Sequence, residues 1–262
     1  MEEFFIARKL YVIVKEVLKV EEINFNQFIR EVKMNKEQIR NYENYPFSLP
    51  IVKKLTNLKL HPKVTFITGE NGSGKSTLLE GIAVAYGFNP EGGTKNFNFS
   101  TYNSHSLLHK YIQLIKGIKK PKDGFFLRAE SIYNLATNID ELALIDSYGG
   151  QSLHEQSHGE SFFSIMINRF SKYGLYILDE PESALSPTRQ MSMITRIHEL
   201  VNDNCQFIIS THSPILMSYP YSIIYEIKNG ELKKVKLEDT EHYQVTKSFL
   251  NNKDKFLDIL LN

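Results

Sequence analysis

The chain has 262 residues, of which 42% are hydrophobic and 23% charged, so it is long enough to bury a full α/β core. A net charge of +1 and a pI of about 7.8 give no global electrostatic case for binding nucleic acid or an acidic membrane. One cysteine, a start without the basic region of a signal peptide, and the lack of long apolar runs predict a cytoplasmic protein without direct membrane insertion.

The first elements lead up to a strongly patterned loop. Residues 4–20 place apolar side chains on one helical face, which favours a helix slightly over a strand. Phe28–Met34 alternates like a strand, and Tyr42–Pro50 is typical of a turn-rich connection. Val64–Thr68 is a short β-branched and aromatic run, which predicts a buried parallel strand.

A complete G-x-x-x-x-G-K-[ST] pattern follows that strand and leads into a predicted helix from Ser76. Its glycines let successive backbone N–H groups and the helix N-terminus point at an anion. Lys75 is then placed to bind the β- and γ-phosphates of a nucleoside triphosphate, and Ser76 to bind Mg²⁺. A chance glycine-rich turn is disfavoured by the strand before it and the helix after it. The predicted phosphate-binding residues are Gly69, Glu70, Asn71, Gly72, Ser73, Gly74, Lys75, Ser76 and Thr77.

The composition shifts toward Asn, Ser, Gly and Lys between Phe88 and about Tyr148. There we predict strand pieces at Asn96–Ser100 and Gly124–Arg128 around a helix at Leu107–Ile115, forming a smaller lobe inserted into the core. The predicted division is an N-terminal extension (1–27) and one α/β domain (28–262), with the inserted lobe at roughly 88–160.

The remaining elements alternate between helices and strands, which predicts a mostly parallel sheet covered by helices. Ser186-Pro187 is a typical helix start, because a capping hydroxyl precedes a proline in the first turn. Asn229-Gly230 is a strong hairpin signal. The predicted elements are a helix at Glu160–Phe170, a buried strand at Leu175–Leu178, a strand at Gln206–Ser210, and a hairpin of Ser222–Lys228 with Glu231–Leu237.

Chemically competent side chains directly follow two of these strands. Asp179 is predicted to hold Mg²⁺, and Glu180 to orient and polarise the attacking water. An exposed Asp-Glu turn is the alternative, and the intact phosphate loop upstream disfavours it. His212 follows the strand at Gln206–Ser210, at the edge where open α/β sheets bind ligands, and is placed to donate to a γ-phosphate. Taken alone, it is also consistent with a structural histidine.

In this order, the motifs resemble those of the ATP-binding cassette (ABC) ATPases over roughly residues 28–230. Pro181-Glu182 and Thr211-His212-Ser213-Pro214 are similar to the stand-alone bacterial predicted AAA/ABC ATPases related to SMC and RecF-type proteins. The resemblance implies an α/β P-loop NTPase fold of the ABC type, with an N-terminal antiparallel portion. It also implies a homodimer in which two subunits sandwich two ATP molecules, and the signature of one subunit contacts the γ-phosphate bound by the other.

Two segments compete as that signature. Tyr148-Gly149-Gly150-Gln151 imitates its tail but lacks the preceding serine. Ser157 and Gly159 occupy family positions, open a predicted helix and begin 22 residues before Asp179, a spacing that fits the family. His158 and Glu160 depart from the family pattern, so this signature is degenerate.

A zinc site is a third interpretation of the same segment. His154-Glu155-Gln156-Ser157-His158 matches H-E-x-x-H, with Glu180 or Glu182 as a conceivable third ligand. That chemistry needs both histidines on one helical face, and the glycines on either side disfavour a helix of adequate length.

Two further family features are less clearly encoded. The glutamine expected after the strand at Gly124–Arg128 is replaced, and Glu130 is the candidate for its metal-contacting place, with a surface glutamate as the alternative. Tyr42, Tyr45 and Phe47 are candidates to stack on adenine, and each is also consistent with core packing.

Together these features predict an ATP hydrolase that uses ATP and Mg²⁺ and drives a conformational switch in a protein partner or a nucleic-acid process. Lys75, Glu180 and His212 are the predicted catalytic residues, and Ser157 acts across the dimer. The alternative functions are a nucleotide-binding subunit of an ABC transporter, a nucleic-acid or defence module, and a small-molecule kinase. The kinase would need an Arg-rich lid, which the sequence lacks.

Overall fold

A computed structural model describes residues 27–94, 106–128, 131–142 and 144–262. The predictions for residues 4–20, for Asn96–Ser100 and for Glu130 lie outside them. The strands are β1 (Ile29–Met34), β2 (Asn57–Lys59), β3 (Val64–Gly69), β4 (Ile112–Lys116), β5 (Asp123–Arg128), β6 (Gly174–Asp179), β7 (Gln206–Ser210), β8 (Ser222–Lys228) and β9 (Glu231–Val235). The α-helices are α1 (Pro50–Lys54), α2 (Lys75–Tyr86), α3 (Ile132–Glu141), α4 (His158–Asn168), α5 (Pro187–Asn202), α6 (Pro214–Met217), α7 (Glu241–Asn251) and α8 (Lys253–Leu261).

The larger sheet carries the motifs and has the strand order β5-β6-β7-β3-β8-β9. All its neighbouring strands are parallel except β8 and β9, which form the predicted hairpin. Every residue of β3, β6 and β7 is buried, as expected for parallel strands covered on both faces. The predicted α/β fold with a mostly parallel core sheet is therefore confirmed.

A second, antiparallel sheet has the order β2-β1-β4 and confirms the predicted N-terminal antiparallel portion. Helix α2 packs between it and the larger sheet, in contact with β4 on one side and with β6 and β7 on the other. The fully buried Gln206 joins the sheets: its Oε1 accepts from the N–H groups of Phe28 and Ile29 at 2.9 Å, and its Nε2 donates to Ile29 O at 2.8 Å. This link holds β1 beside the core.

The helix predicted at Leu107–Ile115 is wrong. Leu107–Tyr111 is a 3₁₀ helix capped by Ser106, and the following residues form β4, which pairs antiparallel with β1. The apolar residues there fit a helical period locally, but pairing with β1 satisfies their backbone groups in an extended conformation.

The strand predicted at Gly124–Arg128 is present as β5, and it pairs with β6 at the edge of the larger sheet. This part of the predicted lobe is therefore continuous with the core sheet. The lobe as a unit stays a prediction. Beyond β5, α3 and α4 pack against the core cluster that covers one face of the larger sheet.

The C-terminal helices differ from the rest of the fold. Neither α7 nor α8 contains a buried residue, and Leu250, Ile259 and Leu260 are among their exposed apolar side chains. Across the part of the chain that the structure describes, no helix combines the length and the hydropathy that crossing a bilayer requires.

Candidate functional site

The phosphate-binding loop lies between the end of β3 and the start of α2, as predicted. Gly69 has a φ of 146°, and a Cβ there would lie 2.8 Å from the carbonyl oxygen of Ile227. Gly74 has a φ of 96°, and a Cβ there would lie 2.6 Å from Ile51 Cγ2. Side-chain-bearing residues rarely adopt such φ values, so both positions need glycine. The result is a backbone concavity at a helix N-terminus, which suits an anion.

The Lys75 ammonium lies inside this loop, where Nζ donates to the carbonyl oxygens of Gly69 and Glu70 at 3.0 Å each. Nζ also lies 3.7 Å from Glu180 Oε1, and the lysine side chain is only 3% exposed. Burial lowers the pKa of Lys75, whereas the charges of Glu180 and Asp179 raise it. The other predicted loop residues are exposed or half-buried: Glu70, Asn71, Gly72, Ser73, Gly74, Ser76 and Thr77.

The end of β6 places the Asp179 carboxylate against the loop. Oδ1 accepts from Ser210 Oγ at 2.5 Å, and Oδ2 lies 3.7 Å from Arg128 Nε. Burial raises the pKa of Asp179, against the opposing effects of Ser210, Arg128 and Ser76. A carboxylate and a hydroxyl are oxygen donors of the kind that Mg²⁺ prefers, so Asp179 and Ser76 fit the predicted metal.

Glu180 adopts a left-handed conformation, with φ 48° and ψ 53°. Its N–H donates to the backbone oxygen of Ser210 at 3.2 Å. The carboxylate lies between two cationic or donor groups, because Oε1 is 3.7 Å from Lys75 Nζ and 3.3 Å from His212 Nε2. The side chain remains 37% exposed, which leaves it accessible to a water molecule.

His212 follows β7 and joins the same group. Its backbone N–H donates to Glu182 Oε1 at 2.5 Å, and its Nδ1 lies 2.8 Å from His242 Nε2. Burial lowers the pKa of His212 most, the Lys75 and His242 charges lower it further, and Glu180 opposes them. The neutral imidazole is therefore favoured near neutral pH.

Other site residues were missed by the sequence interpretation. Arg128 ends β5 and donates from Nη1 to Glu80 Oε2 at 2.9 Å, while Glu80 Oε1 accepts from the Ser106 N–H at 2.7 Å. Glu80 lies one helical turn after the serine predicted to bind Mg²⁺, and this spacing was the local signal that could have indicated it. The candidate Glu130 lies outside the described residues.

Ser157 caps α4, which confirms that this segment opens a helix. Its Oγ accepts from the Glu160 N–H at 3.4 Å, and its own N–H donates to Glu160 Oε2 at 3.0 Å, forming a capping box. The Oγ also donates to Glu160 Oε2 at 2.6 Å. A Cβ at Gly159 would lie 2.6 Å from the carbonyl oxygen of Ala184, so the glycine permits close packing beside the acidic strand end. The described contacts of Ser157 are with its own helix and not with the phosphate loop of the same chain.

The structure disfavours the other interpretations of this region. His154 lies in a 3₁₀ turn (Leu153–Glu155) that ends before α4 begins at residue 158, so no single helix carries both positions. His154 Nε2 instead lies 3.1 Å from Thr137 Oγ1. Among the described residues, no three His, Cys, Asp or Glu side chains are grouped as a metal site. Tyr148 is buried at the end of a 3₁₀ turn and does not start a helix.

Of the aromatic candidates, Tyr45 is the best placed for a nucleobase. It is 61% exposed, and its hydroxyl lies 3.1 Å from Thr77 Oγ1 at the start of α2. Phe47 packs edge to face against Tyr111 with ring centroids 4.8 Å apart, and Tyr42 packs against the core beside the antiparallel sheet.

Comparison with known proteins agrees with the motifs. A family model described as an AAA ATPase domain matches residues 155–217. The lipoprotein-releasing system ATP-binding protein LolD of Buchnera aphidicola subsp. Schizaphis graminum is 28% identical over 196 residues, which cover 64% of this chain and 82% of that protein.

Solved structures similar to the chain include the SMC head domain from Thermotoga maritima, at 16% identity and a TM-score of 0.44, covering 80% of this chain and 99% of that one. They also include cbiO1 from Clostridium perfringens, part of the ABC transporter complex cbiONQ, at 18% identity and a TM-score of 0.47, covering 87% and 97%.

Proposed function

We propose that this chain, a P-loop ATPase of the ABC type, hydrolyses ATP to ADP and phosphate in a Mg²⁺-dependent reaction. The meeting of three strand ends supports this most directly. Lys75, Glu180 and His212 follow β3, β6 and β7, and the glutamate lies 3.7 Å from the lysine and 3.3 Å from the histidine. Neighbouring strand ends are where open α/β sheets bind ligands.

In this proposal the loop backbone and the start of α2 bind the phosphates, and Lys75 neutralises their charge. The exposed ring of Tyr45 stacks on adenine, because its hydroxyl already contacts Thr77 at the start of the same helix. Ser76 and Asp179 hold Mg²⁺, with Glu130 as a further proposed contributor. Mg²⁺ held by these residues would offset the negative charge that develops on the phosphate oxygens.

Glu180 is the proposed general base. It accepts a proton from the water whose oxygen attacks the γ-phosphorus, and the bond to the β-phosphate oxygen breaks. His212 donates from Nε2 to the γ-phosphate, since this nitrogen faces the same side of the site as Glu180. The proposed roles of Glu180 and His212 require side chains held in fixed positions. The pairing of the buried strands β6 and β7 holds the strand ends that these residues follow.

We also propose that ATP closes a homodimer and that hydrolysis reopens it. Ser157 and Gly159 lie at the N-terminus of α4, a position suited to contact the γ-phosphate bound by a second copy. The working unit is residues 28–262, with a smaller lobe at roughly 88–160 and residues 1–27 as an extension. We expect this cycle to act in the cytoplasm on a protein partner or a nucleic-acid process.

One substitution tests the proposed function. Glu180→Gln preserves the size of the side chain but not its ability to accept a proton, so turnover should fall about 10²- to 10⁴-fold while ATP binding persists. The ATP-bound dimer should also become more stable, which size-exclusion chromatography with and without ATP would measure. Glu199→Gln, which removes a charge from the surface of α5, is the matched control. Wild-type turnover in Glu180→Gln would refute the assigned base, and failure of the wild type to bind ATP would refute the function.

The second candidate is the ATP-binding subunit of a transporter, which the similarity to LolD favours. In that case turnover by the purified chain should stay low until a membrane-embedded partner is added. Equal turnover with and without such a partner would exclude this candidate.

A further inference from the structure

The start of α7 lies at the catalytic centre, although α7 is far from the phosphate loop in sequence. A cleft of about 590 Å³ separates the two, and its lining includes Glu70, Gly72, Glu241 and His242. His242 Nε2 also lies 2.8 Å from His212 Nδ1, with the two rings at 76° to each other.

Buried contacts fix the place of His242. Thr240, just before the helix, is fully buried, and its Oγ1 donates to Leu237 O at 2.7 Å. The next N–H, that of Glu241, donates to the buried carboxylate of Glu226 at 2.9 Å. Since α7 buries no residue of its own, its first turn is held against the core mainly by these contacts and by the histidine pair.

The contacts of His212 favour one position for its imidazole proton. A neutral imidazole has one N–H and one acceptor nitrogen. Nε2 lies 3.3 Å from Glu180 Oε1, a close contact that lacks hydrogen-bond geometry. An N–H beside an ionised carboxylate oxygen is electrostatically favoured over a nitrogen lone pair in the same place, so the favourable arrangement has the proton on Nε2. Nδ1 must then accept, and the atom that donates to it is His242 Nε2.

We propose that His242 is a positioning residue, whose Nε2–H holds the His212 ring and keeps its proton on the nitrogen that faces the γ-phosphate. This inference rests on the proposed function of His212. The rival explanation is that the histidine pair only attaches α7 to the core. The two explanations differ in whether the protonation of His212 depends on His242.

The first test is ¹⁵N NMR of the imidazole groups of the whole chain at pH 8, with the His212 signals assigned from His212→Asn. We expect the His212 spectrum of the wild type to be that of an Nε2-protonated ring, and the same ring to show a mixed tautomer or exchange broadening in His242→Leu. Protonation of Nδ1 in the wild type would overturn the proposal. An unchanged His212 spectrum in His242→Leu would do so as well.

The second test is steady-state ATP turnover. His242→Leu should lower kcat about 3- to 12-fold, the range expected from one lost hydrogen bond, with KM for ATP within about twofold of wild type. His242→Gln should recover most of kcat, because its amide can donate to Nδ1. Gln244→Ala, which removes a contact of α7 with Glu238 O, controls for loosening of the helix.

Equal losses in all three variants would show that α7 attachment alone matters, and so would overturn the proposal. Loss of kcat in His242→Gln as large as in His242→Leu would do the same. If the wild type does not hydrolyse ATP, the proposed function fails, and the NMR measurement still decides whether His242 controls the His212 proton.

Discussion

The geometry of the phosphate loop predicts different costs for alanine at two of its glycines. Gly72 has a φ of 77°, and a Cβ there would meet no atom within 4 Å. Gly72→Ala should therefore lower the free energy of unfolding by about 1 kcal/mol, the penalty of a left-handed conformation. At Gly74 the φ is 96°, and the added Cβ would also lie 2.6 Å from Ile51 Cγ2 and 3.4 Å from Leu49 Cδ1. Overpacking adds about 1–3 kcal/mol, so Gly74→Ala should cost about 2–4 kcal/mol.

Urea denaturation of the wild type and of both variants measures these differences, provided that the m-values agree. A double-mutant cycle with Ile51→Ala then isolates the steric part. Removing Ile51 Cγ2 should make Gly74→Ala about 1–3 kcal/mol less costly than it is in the wild type, whereas Gly72→Ala should be unaffected. Equal costs for the two glycine variants would refute the reasoning, as would an additive cycle between Gly74 and Ile51.

Two further predictions concern other residues. Tyr45→Ala should weaken ATP binding about 5- to 100-fold by removing a stacking surface, while Tyr45→Phe, which loses only the contact with Thr77, should bind nearly normally in calorimetric titrations. Burial and nearby lysines lower the pKa of His61, whose Nδ1 accepts from the Lys63 and Val64 N–H groups at 3.1 and 3.3 Å. In the unfolded chain His61 takes up a proton near pH 6.5, whereas in the folded chain its lowered pKa disfavours protonation. The free energy of unfolding should therefore fall as the pH drops below that value. His61→Asn keeps a hydrogen-bond acceptor that does not titrate, so its denaturation midpoint should fall less than that of the wild type between pH 6.5 and 5. Equal slopes of midpoint against pH in the two proteins would contradict this.

Local sequence signals were sufficient for the elements whose geometry is set by a few neighbouring residues. Asn229 and Gly230 adopt φ values of 52° and 76°, which the hairpin turn between β8 and β9 requires and which Asn-Gly tolerates. Ser186 caps α5 by accepting from the Arg189 N–H, as its position before a proline predicts. In such cases the backbone conformation depends on the residues that adopt it.

The error at Leu107–Ile115 has the opposite origin. A short apolar segment fits the periodicity of a helix and that of a strand equally well. Its conformation is then determined by the element that it packs or pairs with. Leu114 pairs with Val32 and Ile112 with Met34 on β1, a strand about 80 residues earlier whose place is in turn held by Gln206. A local window contains none of these contacts.

The candidate site also combines residues that local sequence signals identify with residues that only distant contacts bring into place. The groups that would meet phosphate lie in contiguous motifs, because a loop between a strand and a helix must bring backbone N–H groups and a lysine to one point. The groups that orient them come from elsewhere: Arg128 bonds Glu80 across 48 residues, and His242 meets His212 across 30. Any donor of the right reach on any element could do this work, so no spacing rule identifies it in advance. Supporting residues of this kind are therefore found from the fold and not from the sequence.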